Sequence, residues 1–368
     1  MYNILIFGTG STCELILNVL NMEKVRILAF LDNDSSKWGD YFYERKIVPP
    51  SEIYNYSYDY IIIASQYNES IYNQLLHMDV DNKKVLQFYK FYNLLYNPLK
   101  RYIDTFYKKV EELSTIITGI SYVRSGIDEN GLIHKGHNFA LGSQDLFYDY
   151  KIVEHILNSY KKNKIKYAII GLAYYSFQYD MSLSSMRNRV ILYYSVLGEK
   201  HNYKELSIKD FNNQYNISKS ICDKIFKKNE KGDYLFKWNS QILSNHSVQE
   251  RINLGKRIAH KDCNKNYPKT VEENKIILKK YLKLLKDNNI KPIVVVFPSS
   301  KYYTKYFSKR IEDEFHSIIK QTKKEYEFQY IDYFRSDIFE NDDFSDVSHL
   351  NNKGAEKFTK ILNKEIQW

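Results

Sequence analysis

Three side chains in this sequence have the types needed for nucleophilic catalysis, and they fall at two distant places. Ser121 follows Thr118-Gly119-Ile120, while Asp346 and His349 sit three residues apart in Asp343-Phe344-Ser345-Asp346-Val347-Ser348-His349-Leu350-Asn351. A serine hydroxyl is a poor nucleophile until an imidazole removes its proton. The imidazole needs a carboxylate to fix its tautomer and stabilise its charged form. Each piece alone is common: serines after glycine are mostly structural, and Asp-x-x-His pairs mostly decorate surfaces. A second set is Gly8-Thr9-Gly10-Ser11 followed by Asp32. There the glycines would let backbone N–H groups approach a phosphate at a helix N-terminus, and Asp32 would accept from a ribose hydroxyl.

The elements around these residues decide whether they can meet. Ile4–Phe7 predicts a buried strand ending at the glycine turn. A helical pattern with Leu15, Ile16, Val19 and Leu20 follows, then strands at Val25–Leu31 and Tyr60–Ala64. This is the first half of a Rossmann unit, with Cys13 where a third glycine would fall. Hydride transfer is not expected, because the stretch is short and has no Tyr-x-x-x-Lys dyad. Pro98 disfavours helix at the residue before it, which puts a domain boundary near residue 97. Beyond it, apolar runs at Ser114–Thr118, Asn138–Leu141, Lys166–Ile170, Pro292–Phe297 and Phe328–Ile331 alternate with helical patterns. One helix is marked by Thr270-x-x-Glu273 as a capping box, with Leu278, Tyr281, Leu282 and Leu285 on one face. The fold class is therefore α/β, with two doubly wound parallel-sheet domains, 1–97 and 98–368. Ser121, Gly142, Ser143 and the Ser299–Tyr303 loop then fall at strand C-terminal ends, where such sheets bind ligands.

With 368 residues the chain has room for two domains, and no apolar run approaches the ~18–20 residues that span a bilayer. Its net charge of +10 is uneven. Residues 1–100 hold 9 Lys/Arg against 11 Asp/Glu, whereas 196–290 hold 20 against 11. That basic stretch has no zinc-finger, RNP or basic-zipper pattern, so nucleic acid is not the expected partner. It reads either as a solvated helical insert or as a surface for an anionic partner. Cys13, Cys222 and Cys263 form neither a disulfide framework nor a zinc site. His134, His137, His246, His260 and His316 have no metal-ligand spacing, and no metal is expected. A chain opening directly on a strand, with no leader pattern, points to the cytoplasm. The 35 tyrosines reflect base composition as well as any role. Tyr174, Tyr175, Tyr302 and Tyr303 are the ones placed to touch a substrate.

Two resemblances sharpen these expectations. Gly8-Thr9-Gly10, Phe30-Leu31-Asp32-Asn33-Asp34, Lys37-Trp38-Gly39, Ile47-Val48-Pro49-Pro50-Ser51-Glu52-Ile53 and Tyr58–Ser65 occur in that order. The series resembles the small nucleotide-sugar-binding Rossmann domain of bacterial polysaccharide biosynthesis proteins. That likeness implies a nucleotide or nucleotide-sugar held by Gly8, Gly10, Ser11 and Asp32, or an empty scaffold. Residues 112–368, interrupted by the basic stretch, resemble the SGNH/GDSL hydrolase superfamily, in particular its divergent glycan O-acyltransferases. The resemblance rests on Gly119-Ile120-Ser121, on Asp346 and His349, and on His349-Leu350-Asn351-x-x-Gly354-Ala355. It implies a Ser121–His349–Asp346 triad, with oxyanion donors from Ser121 and from Gly142 or Ser143, and a flavodoxin-like sheet. Two departures stand out. Ile120 replaces the family's Asp, and Gly171-Leu172-Ala173-Tyr174-Tyr175-Ser176 lacks its third-block Asn.

Three functions remain open from the sequence. The first is acyl transfer to or from a surface glycan or its precursor, with no required cofactor. The second is transfer of a phosphate-linked group from a CDP- or CMP-type donor. The third is a non-catalytic nucleotide-sugar-binding scaffold, associating with other glycan-pathway enzymes or peripherally with a membrane.

Overall fold

The structure, a computed structural model, describes residues 1–65, 67–88, 97–160, 164–227 and 242–368. In chain order it begins β1 (Tyr2–Phe7), α1 (Ser11–Val19), β2 (Val25–Leu31), β3 (Tyr41–Phe42), β4 (Arg45–Val48), β5 (Tyr60–Ile63), α2 (Asn68–His77) and β6 (Val85–Leu86). Next come α3 (Pro98–Lys109), β7 (Thr115–Gly119), α4 (Ser121–Gly126), β8 (Gly136–Asn138), α5 (Leu146–Ser159) and β9 (Tyr167–Leu172). Four helices follow: α6 (Val190–Leu197), α7 (Ile208–Ile225), α8 (Val248–Cys263) and α9 (Pro268–Asp287). The chain closes with β10 (Lys291–Val296), α10 (Lys301–Thr304), α11 (Lys309–Thr322), β11 (Gln329–Asp332) and α12 (Asn352–Glu365).

Two compact units result. One is Met1–Pro98 with the described part of Ser185–Phe236; the other is Leu99–Ser184 with the described part of Lys237–Trp368. The first has a six-stranded sheet in the order β3-β4-β2-β1-β5-β6, parallel except for the β3–β4 hairpin. The alternation of β1 sorts its core. Leu5 and Phe7 pack with Ile71, Tyr72 and Leu75 of α2 on one face. Ile4 and Ile6 pack on the other with Cys13 and Ile16, and with Ile221, Cys222, Ile225 and Phe226 at the end of α7.

This corrects the expected division into 1–97 and 98–368. The first boundary lies at Pro98, but the segment from Ser185 returns to the first unit. The reason is apolar burial: Ile221, Ile225 and Phe226 are buried in the core on that sheet, at about 1.5–3 kcal/mol for each large apolar side chain. Main-chain bonds from Asn21 N–H to Ile225 O and from Lys227 N–H to Val19 O fix the seat. The stretch 196–290 is therefore not one insert. Its first part completes the first unit, while α8 and α9 belong to the second. Residues 228–241 lie outside the described residues.

The second unit is a five-stranded, all-parallel sheet in the order β11-β10-β9-β7-β8. Helix α9 packs on α5, and α12 on α4. Leu278, Tyr281, Leu282 and Leu285 are all buried, as their spacing predicts. Two local expectations differ. Strand β8 is Gly136–Asn138 rather than Asn138–Leu141, because Gly136, His137 and Asn138 are the residues opposite Thr115, Ile116 and Ile117. Helix α9 starts at Pro268 without a side-chain cap, so Thr270 and Glu273 form no capping box. Proline at the first helical position needs no N–H partner, and Thr270 is buried instead. Among the described residues, no helix is long and apolar enough to cross a membrane.

Candidate active site

Strand β7 delivers the serine. Gly119, its last residue, has φ +143°, and a Cβ there would lie 2.3 Å from Val123 Cγ2 and 2.6 Å from the Gly171 carbonyl oxygen. Only glycine fits both the backbone and the space. Gly171 on β9 is equally tight against Val123, so two glycines let α4 settle on the sheet edge and set Ser121 at its first position.

The loop before α12 delivers the other two. Asn351 caps α12 by accepting from Gly354 N–H, and its amide donates to the carbonyls of Asp342 and Phe344. Gly354 is required there, since a Cβ would lie 2.0 Å from the Asp343 carbonyl oxygen. A bridge between Phe344 and Leu350 closes the loop. Inside it, Asp346 Oδ1 accepts from the Ser348 and His349 N–H groups at 2.8 and 2.9 Å.

The three side chains meet. Ser121 Oγ is 2.8 Å from His349 Nε2, and His349 Nδ1 is 3.0 and 2.9 Å from the two Asp346 oxygens. A carboxylate on Nδ1 favours the tautomer with its proton there, leaving the Nε2 lone pair toward the serine. Burial alone would raise the Asp346 carboxyl. The His349 charge, its ring N–H and the two loop N–H groups instead bring it down to about 2. The arrangement can accept a proton from Ser121 while keeping Asp346 ionised.

The remaining expected residues divide. Gly142 and Ser143 lie on the loop between β8 and α5, beside β7 in the sheet. Ser143 has φ +62°, and its carbonyl accepts from Tyr179. Tyr174 is not a substrate residue: it is 4% exposed, donates to Asp332, and packs among Phe307, Phe315 and Phe334. Tyr303 is 1% exposed and donates to Asp262 Oδ2 at 2.9 Å, so it too is closed to a sugar ring. The period of the Tyr302–Tyr303 helical turn turns the second ring inward. Tyr302 is half-buried, and Arg251 donates to its hydroxyl and stands over its ring. Beside this pair a cleft of about 570 Å³ is lined by Arg251, Ser300, Arg335, Asn341, Phe339 and Phe344 among others. Ser300 joins it to the triad loop by donating to the Val347 carbonyl. Ser121 and His349 themselves do not line it.

In the first unit, Gly8 has φ +107°, and a Cβ would lie 2.9 Å from the Ala64 carbonyl oxygen. Gly10 caps α1. The Ser11 side chain lies outside what is described. Cys13 fills the third-glycine position as a fully buried core residue, its thiol pushed up to about 12 by burial and by Glu14. Asp32 is already engaged. It accepts from the Thr9 N–H and hydroxyl, from the Asp34 N–H and from Lys37. A ribose would have to share or replace these partners.

Several residues at the site were not singled out by sequence. Tyr122 lies against the His349 ring, centroids 4.7 Å apart and planes at 14°. Asp262 reaches Tyr303 from α8. Asn274 of α9, 2% exposed, donates to the carbonyls of Ser176, Phe177 and Tyr179 and so holds the loop after β9. Only Asn274 left a signal: an amide one turn before Leu278 on an otherwise apolar face.

Residues 1–86 match the protein family described as C2185-like, N-terminal. The match covers less than a quarter of the chain and lies entirely within the first unit. A search of curated proteins finds no match to the chain.

Proposed function

We propose that this chain is a transferase or esterase of the SGNH/GDSL kind that moves an acyl group to or from a surface glycan or its precursor. The reading is carried by one observation, the continuous Ser121–His349–Asp346 hydrogen-bonded series. In the forward half-reaction Ser121 Oγ attacks an ester or thioester carbonyl while His349 Nε2 takes its proton. His349 then protonates the leaving oxygen or sulfur, and the acyl group stays on Ser121. In the second half, His349 deprotonates an acceptor hydroxyl, which attacks the acyl-serine and restores the free enzyme. Asp346 remains ionised and steadies the imidazolium. The N–H groups of Ser121 and of Gly142 or Ser143 are the proposed donors to the developing oxyanion.

The polar cleft beside Ser300 supports a sugar acceptor, since its lining offers hydroxyl, amide, carboxylate and guanidinium groups. A nucleotide or nucleotide-sugar at Gly8, Gly10 and Asp32 is the proposed ligand of the first unit, and the cytoplasm the proposed setting. The test is covalent. Incubation with a fluorophosphonate or an activated acyl ester should add one adduct mass at Ser121, and Ser121→Ala should abolish it. No adduct, with turnover intact in Ser121→Ala, sinks the proposal.

A second reading is transfer of a phosphate-linked group from a nucleotide-activated donor. It is favoured by a cleft on α8 where Lys256, Arg257 and His260 line the wall and no carboxylate does. Release of a nucleoside monophosphate from a CDP- or CMP-linked donor would select it over acyl transfer.

A further inference from the structure

The imidazole of His349 has a second face that the triad does not use. Asp346 and Ser121 hold the ring at its edges, through Nδ1 and Nε2. Its flat side lies nearly parallel to Tyr122, the residue next to the serine. Behind Tyr122 is a buried polar cluster. The Tyr122 phenol interacts with those of Tyr175 and Tyr303. Tyr303 donates to Asp262 Oδ2 at 2.9 Å. Lys265 Nζ lies 3.8 Å from Asp262 and 4.8 Å from the Tyr175 ring centre.

These groups come from separate elements: Tyr122 from α4, Tyr175 from the loop after β9, Tyr303 from α10 and Asp262 from α8. Helix α8 is brought in by a specific device. Gly255 packs on α10 so closely that a Cβ would lie 2.0 Å from the Tyr302 carbonyl oxygen. Three tyrosine hydroxyls and a carboxylate are costly to bury unless each polar atom is used.

We infer that Tyr122, Tyr303 and Asp262 are positioning residues for His349: the Tyr122 face fixes the plane of the imidazole, and Asp262 supplies a second negative charge that favours its protonated form. The inference rests on the proposed role of His349 as the base. An imidazolium over an aromatic face is stabilised by the ring quadrupole. Burial holds the Asp262 carboxyl above its ordinary value, and attraction to His349 is among the effects that oppose that rise. Lys265, Tyr303 and Lys261 act on Asp262 in the same downward direction. Among the described residues, the charged and titratable groups linked to the imidazole directly or through Tyr122 and Asp262 include Asp346 on its own loop, Tyr122 on α4, Asp262 and Lys261 on α8, Lys265 just beyond it, and Tyr175 and Tyr303.

The sign follows. Removing the Asp262 charge disfavours imidazolium, so the acidic limb of the pH–rate profile moves to lower pH. The test is an NMR titration of the His349 ring protons, assigned with His349→Gln, in the full chain. Asp262→Asn should lower the His349 midpoint by roughly half a unit to one unit. It should cut kcat several-fold with KM unchanged. Tyr303→Phe, which removes only a hydroxyl, should move the midpoint the same way by less, and it carries the test alone if Asp262→Asn does not fold. An unmoved midpoint in a folded variant overturns the inference. The titration reads His349 whether or not Ser121 is a nucleophile. A shifted midpoint with no Ser121 adduct would therefore overturn acyl transfer and leave the network standing. An adduct with an unmoved midpoint would do the reverse.

Discussion

Ser121 Oγ lies 2.8 Å from His349 Nε2 although 228 residues separate them in the chain. Nothing local holds that distance. It depends on β7 ending at Gly119, on Val123 seating against Gly171, and on Asn351 capping α12 so that the Asp346 loop folds back over the sheet edge.

If the pair acts as proposed, Ser121→Ala and His349→Ala should each lower turnover on the order of 10³-fold or more. The double variant should be no worse than either single one, because the residues act as a unit. Asp346→Asn should cost roughly 10³–10⁴-fold by stabilising the wrong tautomer. Steady-state rates with an activated ester check this, and additive losses would count against it.

Gly119→Ala should destabilise the second unit severely, since the added methyl meets both a side chain and a backbone oxygen in a backbone conformation that disfavours it. Urea unfolding should show a drop of several kcal/mol, on the order of overpacking plus strain. A variant with wild-type stability would mean the turn is looser than its geometry.

Asp346 links stability to acid. Its carboxyl is lowered to about 2 in the folded chain, against about 4 when unfolded. A depressed value contributes stability above the unfolded pKa and loses it as pH falls through the folded one. The contribution is about 2 kcal/mol at neutral pH. Urea midpoints of the wild type and Asp346→Asn should therefore differ at pH 6 and converge toward pH 2.

Asp149 behaves in the opposite sense. It is buried beneath the serine turn, accepting from Gln144 at 2.6 Å and from the Gly119 backbone. Burial pushes its carboxyl well above the usual range, with nearby Asp145 adding to the rise. Above the ordinary carboxylate pKa the unfolded chain gives up this proton and the folded chain keeps it, so stability falls as pH rises. Asp149→Asn removes that titration. Melts at pH 5 and pH 8 should show the variant gaining on the wild type at the higher pH.

Phe226→Ala should open the first unit rather than the second, by about 3–5 kcal/mol. The ring is buried on the face that holds Ile4, Ile6 and Phe30, edge-on to Phe88. Limited proteolysis followed by peptide mapping should show new cleavage within Met1–Pro98. Cleavage confined to the second unit would contradict the packing.

The sequence by itself determined most of the central strands, the fold class and the three catalytic candidates. Buried parallel strands write themselves as short apolar runs, and Gly119, Gly354 and Asn351 stand where local geometry admits few other residues. Only the tertiary structure decided which unit the later segments join. A helix shows its apolar face, as Ile221 and Ile225 do, but not which sheet will cover it. The same limit hid Asp262 within a basic stretch, and it made Tyr174 and Tyr303 look available when packing had buried both. Spacing along one chain fixes what neighbours can do together, whereas contacts between distant elements are set by how whole faces fit.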